Sequence, residues 1–125
     1  MRTLLAAAAT ALLLGCAPTQ ADMADRRALA EARPVGPPVD CVPLTGIRET
    51  RVRDDATIDF YMRGGSVYRN RLPSSCPQLG FEERFAYATS ISRLCSIDTI
   101  TVLTSNGRGA SCGLGDFQPI ALDAR

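Results

Sequence analysis

Four cysteines in the last two thirds of the chain restrict its fold more than any other feature. They are Cys41, Cys76, Cys95 and Cys112. A domain of this size buries too small a core to be very stable, and exported proteins compensate with disulfides. No two of these cysteines have the two to four intervening residues typical of a thiolate zinc site. We therefore predict two disulfides and no metal.

Strand register restricts how the cysteines pair. Asn106-Gly107 is a strong hairpin signal, and a turn there places Cys112 opposite about Thr101. Cys95 then lies about 20 Å further along the strand, whereas disulfides require α carbons within about 7 Å. A bridge between Cys95 and Cys112 is therefore disfavoured.

Two pairings remain. We predict Cys41–Cys112, which joins the two ends of the domain, and Cys76–Cys95 inside it. The crossed alternative, Cys41–Cys95 with Cys76–Cys112, stays open.

The sequence predicts an export signal at the amino terminus. Met1-Arg2 is followed by an apolar run over residues 3–14, which is too short for the roughly twenty residues of a membrane span. The run ends in Leu13-Leu14-Gly15-Cys16, which resembles the lipobox of bacterial lipoprotein precursors. That resemblance implies cleavage before Cys16 and its acylation, and Ala17 in the next position favours the outer membrane.

The residues after Cys16 are expected to form a tether. Ala21 to Arg33 is Ala-rich and predicts a short helix, which the Pro-rich stretch 33–38 ends. Such a helix is marginal alone in water, and disorder is an equally good interpretation. We therefore predict a signal peptide over 1–15, a flexible tether over 16–40 and a folded domain over 41–122.

Three segments of that domain alternate apolar and polar residues, as strands do. They are residues 50–53, 58–63 and 67–72. Keeping arginines out of the core places Ile58 opposite Val52 and Leu72. Phe60 then lies opposite Thr50 and Asn70.

Residues 81–92 fit either a helix or a strand, and we predict a strand over 84–89 from its aromatic residues. The domain is therefore expected to be all-β. Five or six short strands, closed by the disulfides, would make a small barrel or curled antiparallel sheet.

The outer face of this sheet is the strongest candidate for a binding site. The expected register sets Asp59 between Arg51 and Arg71, and Tyr61 beside Arg69. Arginine forks match carboxylate and phosphate groups. We therefore predict that Arg51, Arg69, Arg71 and Tyr61 contact an anionic component of the envelope.

Catalysis and cofactors are not expected. The chain has neither His nor Lys, which excludes His-based triads and Schiff-base chemistry, and its net charge of +1 argues against nucleic-acid binding. The carboxylate doublets Asp54-Asp55 and Glu82-Glu83 are expected at a turn and a solvated segment. Asp98 is expected to accept backbone hydrogen bonds.

The ordered cysteine pattern resembles an uncharacterised family of small proteobacterial envelope lipoproteins with a domain of unknown function. The residues that carry the resemblance are Cys41, Cys76-Pro77-Gln78-Leu79, Arg93-Leu94-Cys95-Ser96-Ile97-Asp98 and Cys112-Gly113-Leu114-Gly115. It covers about residues 41–120 and implies a lipobox and a short β-rich domain, without activity or site residues.

These observations predict an exported protein, anchored by lipid on Cys16 to the periplasmic face of the outer membrane. Its expected role is a non-catalytic binding or structural module, which contacts an anionic envelope component or a partner protein. The alternative is a periplasmic small-ligand carrier or a carboxylate-dependent hydrolase, which would need an interior cavity or two converging carboxylates.

Overall fold

The computed structural model describes residues 15–122, so the apolar run of the predicted signal lies outside the described residues. The elements are helix α1 (Gln20–Glu31), β1 (Arg33–Pro34), β2 (Cys41–Pro43), a 3-10 helix (Leu44–Gly46), β3 (Ile47–Asp54), β4 (Thr57–Met62), β5 (Val67–Arg71), α2 (Leu79–Glu82), β6 (Phe85–Tyr87), β7 (Arg93–Cys95), β8 (Thr99–Thr104), β9 (Gly107–Gly113) and β10 (Phe117–Ala121). Within the described range, neither helix has the length and apolar character needed to cross a bilayer.

The strands form three antiparallel sheets. The largest has the order β1-β10-β5-β4-β3, and the others are β2-β7 and β6-β8-β9. The antiparallel β fold is confirmed. Of the two predicted arrangements, a closed barrel is not found among residues 15–122, because β1 and β3 remain separate edges of the five-stranded sheet rather than pairing with each other. The described residues form ten strands, most of them short, instead of the five or six that were expected.

The core lies on the inner face of the five-stranded sheet. Phe60 is fully buried there, and its ring packs edge-on against Phe117 at 5.3 Å and Phe85 at 6.4 Å between centroids. Because Phe85 comes from the three-stranded sheet, this aromatic cluster holds the two sheets together.

The predicted register is right between β3 and β4, where Val52 lies opposite Ile58. Between β4 and β5 it is shifted by two residues, so that Ile58 faces Asn70 instead of Leu72. The cause is a three-residue turn over 63–65, closed by a 2.8 Å hydrogen bond from Met62 N to Ser66 O. A shift of two keeps every side chain on its predicted face.

The disulfides are Cys41–Cys95 and Cys76–Cys112, so the preferred pairing from the sequence is wrong and the crossed alternative is right. The reason is the pairing of β2 with β7, which sets Cys41 directly opposite Cys95 with their α carbons 4.0 Å apart. The predicted hairpin is present, with Cys112 opposite Ile100, one residue from the expected position.

The ambiguous segment combines both structures. Helix α2 ends at Glu82, and β6 then occupies Phe85–Tyr87. The predicted strand over 84–89 is therefore present but shorter.

The residues predicted as a tether lie against the sheet. Helix α1 begins at a capping box, in which Thr19 and Asp22 each bind the other's backbone N–H. After the helix, Val35 N donates to Pro119 O at 3.0 Å, and Val39 pairs with Phe117. The helix is confirmed, but it and the following segment pack on the domain instead of standing away from it.

Candidate functional site

The candidate site lies on the outer face of the five-stranded sheet. Strands β3, β4 and β5 place Arg51, Asp59 and Arg69 side by side in one row. The sequence predicted Arg71 as the second neighbour of Asp59, and the two-residue shift between β4 and β5 puts Arg69 there instead.

Asp59 and Arg69 form a fully buried, two-pronged ion pair. Arg69 Nε donates to Asp59 Oδ1 at 2.8 Å and Arg69 Nη2 donates to Oδ2 at 2.9 Å. The exposed side-chain fractions are 2% for Arg69 and 0% for Asp59. Two parallel hydrogen bonds of this kind fix the orientation of the guanidinium plane, and the carboxylate also balances the positive charge of the guanidinium.

Arg53 extends this pair into an ion network of Asp25, Arg53, Asp59 and Arg69. Its Nε donates to Asp59 Oδ2 at 2.9 Å, its Nη1 to Asp25 Oδ1 at 2.9 Å and its Nη2 to the Tyr61 hydroxyl at 2.8 Å. Burial opposes the charge on Arg53, but the hydrogen bonds to Asp25 and Asp59, together with charge interactions with Tyr61 and Asp59, raise its pKa above the usual value.

Helix α1 covers the ion network. It supplies Asp25 to Arg53, and the Ala28 carbonyl accepts a 3.3 Å hydrogen bond from Arg69 Nη2. The face that was predicted to be open is therefore covered by α1 at Arg69, whose side chain is only 2% exposed. Sequence reasoning missed Asp25 and its contact with Arg53, because nothing local in the sequence shows that residues 28 positions apart will meet.

The other predicted binding residues lie at the edges of the covered area. Arg51 is exposed, binds Glu49 through a 3.2 Å hydrogen bond, and stacks over the Tyr61 ring at 5.4 Å from its centroid. Tyr61 therefore lies beside Arg51 and Arg53 instead of beside Arg69. Arg71 is exposed at the end of β5, with no ion pair to any residue between 15 and 122.

A cavity of about 450 Å³ opens between the end of α1 and strands β5 and β10. It is lined by Ala32, Pro34, Pro38, Arg69, Arg71, Asp116, Gln118 and Ile120. Arg69 Nη1 is buried and has no hydrogen-bond partner within residues 15–122. Leaving a buried donor unmatched costs about 1–3 kcal/mol, so such groups call for an explanation.

A second cavity, of about 570 Å³, brings carboxylates together under the other end of α1. It is lined by Asp22, Asp25, Arg26, Leu29, Arg53, Asp54, Asp55, Ala56, Ser75, Gly80 and Glu83. This convergence was not predicted, but most of these carboxylates have structural partners.

The partners of those carboxylates are backbone N–H groups and Arg53. Asp54 accepts from Ala56 N at 2.9 Å, as expected of a turn, and Asp55 accepts from Gly80 N at 2.7 Å. Asp22 caps α1, and its hydrogen bond with the Thr19 side chain lowers the pKa of its carboxyl group. Across residues 15–122, no group of three or more acidic or cysteine side chains is arranged to hold a metal.

Asp98 has the backbone role predicted for it. Its Oδ2 accepts a 2.7 Å hydrogen bond from Cys95 N, inside the turn that joins β7 to β8. This contact stabilises the turn next to the Cys41–Cys95 disulfide.

Cys16, the predicted lipidation site, is exposed and carries a free thiol just before α1. The residues next to Cys16 are also exposed, and the chain enters α1 shortly afterwards at its N-cap, Thr19. The five cysteines therefore divide into two internal disulfides and one accessible sulfur.

The comparisons with known proteins give a family but no activity. The model described as "Family of unknown function (DUF6491)" matches residues 1–124, a longer stretch than the domain alone. No curated protein and no solved structure shows a significant similarity to the chain.

Proposed function

Because the chain belongs to this family, whose description assigns no activity, we propose its role from its own residues. It is an exported lipoprotein, acylated at Cys16, and it acts without catalysis as a binding module for an anionic component or a partner protein of the cell envelope. The observation that carries this proposal is the division of the cysteines, with four in disulfides and Cys16 exposed and free.

The division of the cysteines supports export and anchoring together. Disulfides persist in oxidising compartments such as the periplasm and are rare in the cytosol. An accessible sulfur directly after an apolar run is what lipid attachment requires. Two or more acyl chains on one residue anchor a protein stably, whereas a single chain does not.

The packing of α1 supports a location close to the membrane. Few residues separate Cys16 from the Thr19 cap, and even a fully extended chain over this stretch spans only about 10 Å. A lipid on Cys16 therefore holds α1, and the sheet face beneath it, near the lipid surface. Ala17 after the cysteine favours the outer membrane.

The exposed arginines support binding to an anionic partner. Arg51 and Arg71 lie on opposite sides of the area that α1 covers, and both are accessible. Arginine recognises carboxylates and phosphates, and both groups are common in an envelope. The lack of His and Lys supports a role without catalysis.

The lipid anchor is tested by metabolic labelling with palmitate and mass spectrometry of the mature protein. We expect label on the wild type and on Ala17→Ser, no label on Cys16→Ser, and release of Cys16→Ser from the membrane fraction. A mature protein with an unmodified amino terminus, or with reduced thiols at Cys41 and Cys95, would contradict the proposal.

Binding is tested with the variant Arg51→Gln/Arg71→Gln. Retention on peptidoglycan sacculi or anionic vesicles should fall about tenfold, since each exposed arginine contact contributes up to about 1 kcal/mol, and added salt should weaken the wild type. Arg93→Gln/Arg108→Gln is the matched control, because both arginines are exposed on the smaller sheets. If the two double variants are retained equally, Arg51 and Arg71 are not part of the binding surface.

The small-ligand carrier is a second candidate, favoured by the 450 Å³ cavity beside Arg69 and Arg71. Its size falls within the range of small-molecule sites.

A further inference from the structure

Among residues 15–122, one buried side-chain donor, Arg69 Nη1, has no hydrogen-bond partner. Arg69 uses Nε and Nη2 on Asp59, and Nη2 also on the Ala28 carbonyl, whereas its Nη1 binds nothing within residues 15–122. Buried polar groups in native proteins are almost always matched, so an unmatched guanidinium nitrogen points to a ligand.

The guanidinium geometry gives the direction of this donor. Nε and Nη2 form one edge of the planar group, and that edge faces Asp59 on β4. Nη1 lies on the opposite side and points away from this carboxylate. Since β5 lies between β4 and β10, the side away from Asp59 is the side of β10, where the cavity lies.

The cavity provides a second cation and one anion. Arg71 follows Arg69 on the same face of β5 and also lines the cavity, without an ion pair to any described residue. Asp116 lines it as well. The charge of Arg69 is already balanced by Asp59, so Arg71 and Asp116 are the two charges left to select a ligand.

Gln118 adds an acceptor to this lining. Its Nε2 is occupied, donating to the Gly36 carbonyl at 2.7 Å and to the Pro119 carbonyl at 3.0 Å. These bonds hold the amide in place, with its Oε1 left to accept. The remaining lining is apolar, from Ala32, Pro34, Pro38 and Ile120.

We propose that this cavity binds the carboxylate end of a small ligand or peptide. The carboxylate lies between Arg69 Nη1 and Arg71, and an amine or amide N–H of the same ligand donates to Asp116 or to Gln118 Oε1. This inference rests on the proposed function as a non-catalytic binding module and names the chemical group that the module recognises.

Asp116 favours a carboxylate over a phosphate. A carboxylate carries one charge, which Arg71 balances, whereas a phosphate dianion places a second negative charge near Asp116. A free amino-acid derivative and the carboxylate end of a wall-bound peptide share the same recognised group.

The site is tested with the full-length chain in detergent, titrated with alanyl-alanine while amide resonances or heat are recorded. We expect saturable binding, at least tenfold weaker for the carboxy-amidated dipeptide and for inorganic phosphate. Arg71→Gln should weaken dipeptide binding about tenfold, and Arg108→Gln, an exposed arginine on another sheet, should leave it unchanged. Equal affinity for the acid and the amide, or no effect of Arg71→Gln, would overturn the proposal.

A second variant tests the selectivity, and a competition identifies the source of the carboxylate. Asp116→Asn should bind phosphate several-fold more tightly than the wild type does, and unchanged phosphate binding would contradict the role of Asp116. If the carboxylate belongs to a wall peptide, free alanyl-alanine should release the protein from sacculi. If it belongs to a soluble ligand, free alanyl-alanine should leave the amount of protein on sacculi unchanged. Because these titrations need no lipid anchor, they separate failure of this site from failure of the proposed location.

Discussion

Both faces of the five-stranded sheet bury side chains, but by different chemistry. The inner face buries Ile58, Phe60 and Phe117 against the other strands, and the outer face buries Asp59 and Arg69 beneath α1. Both faces come from the same strands, because side chains alternate along them. Period-two alternation therefore separates apolar from polar residues without indicating which face is exposed to solvent.

The faces also differ in what makes burial favourable. Apolar side chains gain free energy by leaving water, in rough proportion to the area they bury. Buried charges lose hydration and regain free energy only when each is paired and hydrogen-bonded. A substitution on the inner face should therefore lower the free energy of unfolding in proportion to the side-chain volume that it removes. A substitution on the outer face should lower it in proportion to the charge that is left without a partner.

The largest expected effect is on the inner face. Phe60→Ala removes the ring that packs on Phe85 and Phe117, and should lower the free energy of unfolding by about 4 kcal/mol. Urea denaturation followed by circular dichroism measures it. Ile97→Ala is the control, since Ile97 is 90% exposed and should cost almost nothing. A loss below 1 kcal/mol for Phe60→Ala would mean that the aromatic cluster does not hold the sheets together.

The outer face should respond to the loss of one charge. Asp59→Ala leaves Arg53 and Arg69 buried without their shared anion, and should cost about 3 kcal/mol in the same denaturation experiment. Glu49→Gln is the matched control, because Glu49 pairs with Arg51 at the surface and such pairs contribute under about 1 kcal/mol. Similar costs for the two variants would contradict a buried outer face.

The contact of α1 with the sheet should give a smaller effect. Asp25→Ala breaks the pair with Arg53, in which the Asp25 side chain is 20% exposed, and should cost about 1 kcal/mol. Arg27→Ala, on the same helix but exposed, should cost less. If Arg27→Ala destabilises the protein more than Asp25→Ala does, Asp25 does not hold the helix in place.

The smallest effect is at the free end of α1. Hydrogen bonding to Thr19 lowers the pKa of Asp22 in the folded protein, so the cap contributes above the unfolded pKa and is lost as the pH falls through the folded one. The Thr19 amide resonance should therefore shift at pH values below the ordinary aspartate pKa of about 3.9. Asp22→Asn should abolish this shift, and a shift that persists would assign it to another group.

The sequence predicts the faces of the central strands well and their partners poorly. The rule that arginines avoid the core gave the right face for residues 50–53, 58–62 and 67–71 of these strands. It could not distinguish registers that differ by two, because both preserve the faces. The register between β4 and β5 depends on whether the turn after Met62 begins at Arg63 or at Gly64. Gly64 and Gly65 permit either turn.

Neither the disulfide pairing nor the position of α1 over the outer face could be predicted from local sequence patterns. Strands β2 and β7 have three residues each, which is too short for alternation to show that Cys41 and Cys95 will face each other. Helix α1 has no buried residue, so its sequence has the composition of a solvated tether. Its contacts are polar, through Asp25 and the Ala28 carbonyl, and polar contacts leave no periodic pattern in a sequence.

Hydrogen exchange of the α1 amides tests most directly whether residues 20–31 cover the outer face. A helix of this length is marginal alone in water, so any protection must come from packing on the sheet. We predict that these amides are protected in the wild type, that Arg53→Gln removes their protection, and that the β4 amides stay protected in both. Exchange of the α1 amides at the rate of a free peptide in the wild type would show that α1 does not cover the outer face.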